Sequence, residues 1–187
     1  MKKLLISVTL LVALVAAGCS QSDTEENQES NNQETEEKST GSEAKPDENT
    51  IKSDLLKTQL NLANKLRPHH SKVVAYHNMK ANEEEPPAPE DLQAAAEEAK
   101  TEAGEAVTTL EGFEMNSELS DDVKEQYSSA LDSLKKYYKE VQKTLEASPE
   151  KADLAGAQEH FDQFQQTLDK IYEEAGLIPT DMSAELS

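Results

Sequence analysis

From Ile51 onward the apolar residues recur at alternating spacings of three and four, the period of helices that pack along a seam. The clearest run is Leu92, Ala96, Ala99, Ala103, Ala106, Leu110 and Phe113, a 4-3-4-3-4-3 series without a miss. Pro89 suits the first turn of that helix, and Glu90 and Asp91 favour the positive end of its dipole. Alanines in mid-seam let a neighbouring helix approach closely, near the low end of the roughly 8–10 Å interaxial range. A second seam reads Val123, Tyr127, Ala130, Leu134, Tyr137, Val141 and Leu145, behind Ser120 as N-cap and with Asp121 and Asp122 in the first turn. A third reads Leu154, Ala157, Phe161, Phe164, Leu168, Ile171 and Ala175. Ser148-Pro149 is expected to close the second helix and open this one, and Gly176, followed by Leu177-Ile178-Pro179, to stop it. So short a connection makes the two helices antiparallel.

Residues 51–80 are less regular. Ile51, Leu55, Leu62, Leu66, Val73 and Tyr76 share one face across Pro68, which removes a backbone donor and is expected to kink or break the helix. The linker ANEEEPPAPE then separates this segment from the alanine-rich helix. The fold class predicted is all-α: an antiparallel four-helix bundle over residues 50–180, its first helix kinked at a proline, with 181–187 as a C-terminal tail. Helices of about 24 to 30 residues would be roughly 36 to 45 Å long. Two long hairpins that associate as a dimer would satisfy the same seams.

The first fifty residues are of another kind. Met1-Lys2-Lys3 is a short basic start, and Leu4 to Ala17 is an apolar run of 14 residues. As a helix that run is roughly 21 Å long, short of the roughly 30 Å hydrocarbon core of a bilayer, so it reads as a signal-peptide core rather than a lasting span. Ala16-Ala17-Gly18 closes it, directly followed by Cys19, the only cysteine in the chain. This AAGC resembles the lipobox of bacterial lipoproteins, with Ala16 where the motif more often has Leu. The resemblance covers about the first twenty residues. It implies cleavage before Cys19, diacylglycerol on its thiol, and a place on the extracytoplasmic face of a bacterial cell membrane, as in Gram-positive surface lipoproteins. More than one acyl chain gives stable anchoring, since each buried CH2 contributes about 0.8 kcal/mol. A single thiol also excludes an intramolecular disulfide or a cysteine-ligated metal cluster.

Charge divides the remainder of the chain. Ser20 to Asn49 holds 10 acidic and 2 basic residues and no large apolar side chain, so residues 19–49 are predicted to be a disordered acidic tether behind the 1–18 signal peptide. Residues 51–187 hold 28 acidic and 14 basic side chains. Such acidity argues against nucleic acid and anionic headgroups as partners, leaving the membrane through the lipid anchor and another envelope protein. Within the bundle, residues 51–80 carry six bases and one acid while 88–114 carry one base and eight acids, which favours adjacent packing of the two.

Candidate chemistry is sparse. His69, His70 and His77 cluster in RPHHSKVVAYHN. His70 and His77 would be about 10.5 Å apart along a helix, and His69 and His70 would point roughly 100° apart, so none shares a metal with another on one straight helix. A di-iron bundle needs Glu-x-x-His, and the residues three before the four histidines are Leu66, Arg67, Val74 and Ala157. The plainer reading is a partly buried histidine at a helix break, with His69 extending the apolar face. The sharper one has the hairpin bring these histidines to Glu83, Glu84, Glu85, Glu90 and Asp91 to hold a divalent metal or sense pH. A haem between a histidine and Met79, Met115 or Met182 is a further alternative. In KKYYKEVQK, Lys135, Lys136, Tyr138 and Lys139 form a candidate contact for a phosphate polymer, against the plainer reading of core tyrosines flanked by lysines. No phosphate loop or nucleophile elbow is present, and an enzyme is not expected. The function expected is that of a lipid-anchored binding or scaffolding module of the cell envelope, with metal or haem carriage through His69, His70 or His77 as the alternative.

Overall fold

A computed structural model of the chain describes residues 47–116 and 118–187. The signal peptide, Cys19 and nearly all of the acidic tether lie outside the described residues. Five helices follow one another: α1 Glu48–Ala81, α2 Pro89–Glu111, α3 Asp121–Ala147, α4 Ala155–Glu174 and the short α5 Met182–Leu186. Among the described residues there is no strand, and no helix is long and apolar enough to cross a membrane. The first four form an antiparallel four-helix bundle in which α1 packs on α2, α2 on α3 and α3 on α4. Because α2 and α3 meet within one chain, the two hairpins share a core without a second copy.

That core is the set of seams. Ala96, Ala99, Ala103, Ala106 and Leu110 of α2 are buried, as are Tyr127, Ala130, Leu134, Tyr137, Val141 and Leu145 of α3. From α4 come Ala157, Phe161, Phe164, Leu168 and Ile171. The alanine stripe brings α2 close to its neighbours. At Gly104 the approach is tight enough that an added Cβ would stand 2.9 Å from Gln142 Nε2 on α3. Acidic α2 lies on basic α1, with Lys72 Nζ 2.9 Å from Glu98.

Local sequence sets the ends of the helices. Ser120 Oγ accepts from Val123 N at 3.4 Å. Gly176, at φ 67°, closes α4 with a Schellman pair: its own N–H donates to Glu173 O at 2.9 Å, and Leu177 N donates to Tyr172 O at 2.8 Å. The turn at Ser148 departs from the expected helix start. Lys151 N donates to Ser148 O at 3.2 Å with Pro149 in the second position of the turn, and α4 begins only at Ala155, whose N–H is taken by Asp153 Oδ1. The fixed φ of proline serves a turn as well as it serves a first helical turn.

Helix α1 runs unbroken through Pro68. Pro68 lies on the exposed side, so the carbonyl of Asn64, which loses its helical donor there, faces water. Buried Leu62 and Leu66 before it, and Val73 and Tyr76 after it, keep the same face on the core. The stretch 181–187, expected to be a tail, folds back instead. Met182 and Leu186 are fully buried, Asp181 caps α5 by accepting from Ser183 N at 2.9 Å, and Arg67 Nε donates to Glu185 O at 3.0 Å. Gln165 of α4 holds the same segment from the other side, accepting from Met182 N at 2.8 Å and donating to Thr180 O at 2.9 Å. Helix α5 is thus a strap between α1 and α4.

Candidate functional site

Opposite the alanine stripe the bundle is built of large side chains. The backbones of α1 and α4 stand farther apart than the other neighbouring pairs, and aromatic rings fill the space. His70 of α1 stacks on Phe161 of α4, ring centroids 5.6 Å apart, and meets Tyr138 of α3 edge-on at 5.9 Å. Tyr137 packs against Tyr138 at 4.8 Å and against Phe161 at 5.3 Å. Between the strap α5 and the 152–154 loop this aromatic layer opens into a lateral pocket of about 660 Å³. Val73 and Tyr76 of α1, Tyr137, Leu154 and Phe161 wall it; His77, Lys80, Asp153, Gln158 and Ser183 stand at its rim; and His70 is among its lining. The volume is in the range of small-molecule sites, roughly 300–1,000 Å³. Tyr76 Oη donates to Pro149 O at 2.8 Å and Lys80 Nζ donates to Ala152 O, so the loop that forms one wall is fastened to α1.

His70 has a defined chemical state. It is 4% exposed, and burial pushes its imidazole down to about 4, so the ring is neutral at neutral pH. Its Nδ1 is 3.0 Å from the hydroxyl of fully buried Tyr138. Burial holds the Tyr138 phenol well above its usual range, so that hydroxyl keeps its proton and pairs with Nδ1 as donor or acceptor according to the ring tautomer. The neutral ring carries one hydrogen, on Nε2 when the phenol donates to Nδ1 and on Nδ1 when the phenol accepts. The pocket therefore offers an uncharged imidazole among aromatic faces, suited to a flat apolar molecule that carries a hydrogen-bonding group.

The three histidines do not share a site. His77 is exposed at the rim, His70 is buried in the aromatic layer, and His69 faces α2. His69 Nδ1 lies 2.6 Å from Glu102 Oε2 and 3.8 Å from Glu105 Oε2, and its Nε2 lies 3.4 Å from Thr109 Oγ1. The carboxylates expected beside the histidines, from Glu83 to Asp91, are replaced by this pair. The antiparallel register explains the correction: His69 is twelve residues short of the end of α1, and Glu102 is thirteen residues past the start of α2. Counting back from the hairpin loop would have found it. None of Met79, Met115 and Met182, the sulfur partners a haem would need, lines the pocket beside His70.

The lysine and tyrosine group is also taken apart by the fold. Tyr138, a candidate anion contact, is fully buried and bonded to His70, so its ring is not available at the surface. Lys135 pairs with Asp132 at 3.3 Å and Lys139 with Glu111 at 3.8 Å, while Lys136 is exposed. Tyr138 sits one position off the α3 seam, and the large gap beside α4 draws it inward together with Tyr137.

The fold and the pocket thus define an acidic four-helix bundle with a lateral aromatic pocket closed on one side by a C-terminal strap. No known protein family matches the chain, and neither the curated proteins nor the solved structures contain a match to it.

Proposed function

We propose that this protein is a lipid-anchored lipoprotein of the bacterial cell envelope, Gram-positive-like in arrangement, whose helical bundle is a non-catalytic binding module. The acylated Cys19 would fix it to the extracytoplasmic face of the membrane, and the acidic segment 20–49 would hold the bundle away from the bilayer. The observation that carries the binding role is the pocket: about 660 Å³ on helical walls, with neutral His70 presented among aromatic rings. Its occupant would be a small molecule with an aromatic or apolar body and a hydrogen-bonding group, rather than a cation or a polyanion. Two experiments test the two halves. Cys19→Ala should take the mature protein out of the membrane fraction, and full retention of the mature form would refute the anchor. Anilinonaphthalene sulfonate, a flat aromatic anion, should bind the wild-type protein at one saturable site. Val74→Trp, which fills the pocket from a half-buried lining position, should abolish that binding. Unchanged binding by the filled variant would remove the pocket as the site.

A further inference from the structure

On the α1/α2 face, outside the pocket, we propose a second site: His69, Glu102 and Glu105 form a three-ligand seat for a divalent transition metal, with Zn²⁺ the ion it suits best. His69 Nδ1 and one oxygen from each glutamate lie within 4.8 Å of one another. The ligands of a tetrahedral zinc, each about 2.0 Å from the ion, stand roughly 3.3 Å apart. The two distances from Nδ1, 2.6 Å to Glu102 and 3.8 Å to Glu105, bracket that value, so shifts of about 0.7 Å and about 0.5 Å bring each oxygen to it, and the two carboxylate oxygens, within 4.8 Å of each other, close by at most about 1.5 Å. Glutamate side chains move that far by small rotations, while the helices stay in place. Glu102 and Glu105 are three apart and share one face of α2, and the buried alanine stripe holds that helix against α1. Thr109 supplies the outer contact that ligating imidazoles carry: with the metal on Nδ1, the ring proton sits on Nε2, 3.4 Å from the Thr109 hydroxyl. The proton that Nδ1 shares with Glu102 leaves as the metal enters; a neutral ring returns it to Nε2 and a doubly protonated ring releases it to water. Among the described residues, both glutamates have His69 as an ion-pair partner; Lys72 on the same face bonds Glu98 at 2.9 Å and also attracts Glu102, a charge the metal must outcompete. One imidazole and two carboxylates are too few oxygens for calcium or magnesium and fit a borderline ion, and three protein ligands leave a position open to water or an external donor.

The full chain, purified in detergent and carrying Cys19→Ala so that the thiol cannot compete, is titrated with Zn²⁺ by calorimetry beside the same chain with His69→Ala or Glu102→Gln. One saturable equivalent is expected, weakened at least tenfold in either variant, with a single imidazole in the zinc X-ray absorption spectrum. Thr109→Val should weaken it about tenfold by loosening the ring. Glu105 is exposed, so Glu105→Gln leaves the core untouched and serves as the test should His69→Ala fail to fold. Equal binding by His69→Ala and Glu105→Gln would put the zinc on other acidic groups and overturn the proposal, as would the absence of a saturable event in the parent.

Discussion

Acid should destabilise this bundle through one residue in particular. His70 is neutral in the folded state because burial lowers it to about 4, whereas in the unfolded chain it titrates at its ordinary value of 6.5. Between those values the unfolded chain binds a proton that the native state refuses, so stability is intact above about pH 6.5 and falls as the pH drops towards 4. The difference between about 4 and 6.5 corresponds to about 3 kcal/mol, and most of it is lost by about pH 4.5. Against a typical domain stability of roughly 5–15 kcal/mol, that is a large fraction. The comparison that isolates it is His70→Gln, which keeps an acceptor for the Tyr138 hydroxyl but does not titrate. Urea unfolding of both proteins at about pH 7.5 and about pH 4.5 removes the carboxylates from the difference, since they are common to both. His77, Lys80 and Asp153, exposed charged or titratable groups lining the pocket, are likewise unchanged, as are the buried phenols Tyr76 and Tyr137. Wild type should lose about 2–3 kcal/mol more than the variant over that interval. Equal losses would mean that the imidazole is hydrated or already charged in the folded state, and the neutral imidazole of the pocket would fall with it.

Three further outcomes rest on the packing. Ala103→Leu places a larger side chain in the tightest seam and should lower stability by about 1–3 kcal/mol in thermal or urea melts; a neutral result would show that α2 has room to move. Tyr138→Phe strips the buried His70 Nδ1 of its partner and should cost about 1–3 kcal/mol, read in the same urea titration, while leaving helix content by circular dichroism unchanged. Met182→Ala removes the fully buried anchor of the strap at about 2 kcal/mol or more, and should speed amide exchange in residues 180–187 well before the rest of the bundle opens.

Much of the fold is readable from periodicity because each long seam carries enough turns to average out its exceptions. Seven positions from Leu92 to Phe113 at strict 4-3 spacing identify one face, and the structure buries the five from Ala96 to Leu110 while Leu92 and Phe113 at its ends are half-buried. The starts of α1 and α4 and the course of α5 are harder, for local reasons. Thr58 and Gln59 are buried where the α1 seam lacks an apolar residue, so the helix looks interrupted in sequence although its face is continuous. Pro68 signals a break, yet its cost falls on a carbonyl that water can satisfy, and the packed residues on both sides outweigh it. Ser148-Pro149 fits a turn and a helix start equally well on backbone grounds, and the long-range bonds from Tyr76 and Lys80 to the loop decide between them. In α5 only Met182 and Leu186 are large and apolar, a single turn that carries no period. The candidate sites depended on register. The individual histidines were visible, but their partners Glu102, Tyr138 and Phe161 were not, since each lies on a different helix from its histidine and only the lengths of the hairpins fix which residues meet.

The location of the pocket follows from an imbalance of side-chain size around the bundle. On one side, Ala96, Ala99, Ala103 and Ala106 let α2 lie close to both α1 and α3. On the other, His70, Tyr137, Tyr138, Phe161 and Phe164 occupy the equivalent layer, and rings of that size hold α1 and α4 apart. Four roughly straight helices cannot be close on one side and wide on the other without a gap along the wide seam. The chain covers part of the gap with α5, pinned by Arg67 to α1 and by Gln165 to α4, and covers the end of it with the fastened 152–154 loop. The part left open by both is the pocket. Filling it would have required only a larger residue at Val74 or Ala152, whereas the sequence leaves it open beside the neutral imidazole of His70, held by a buried phenol. That arrangement carries an acid-sensitivity cost that a phenylalanine at position 70 would avoid, and a binding role gives that cost a reason.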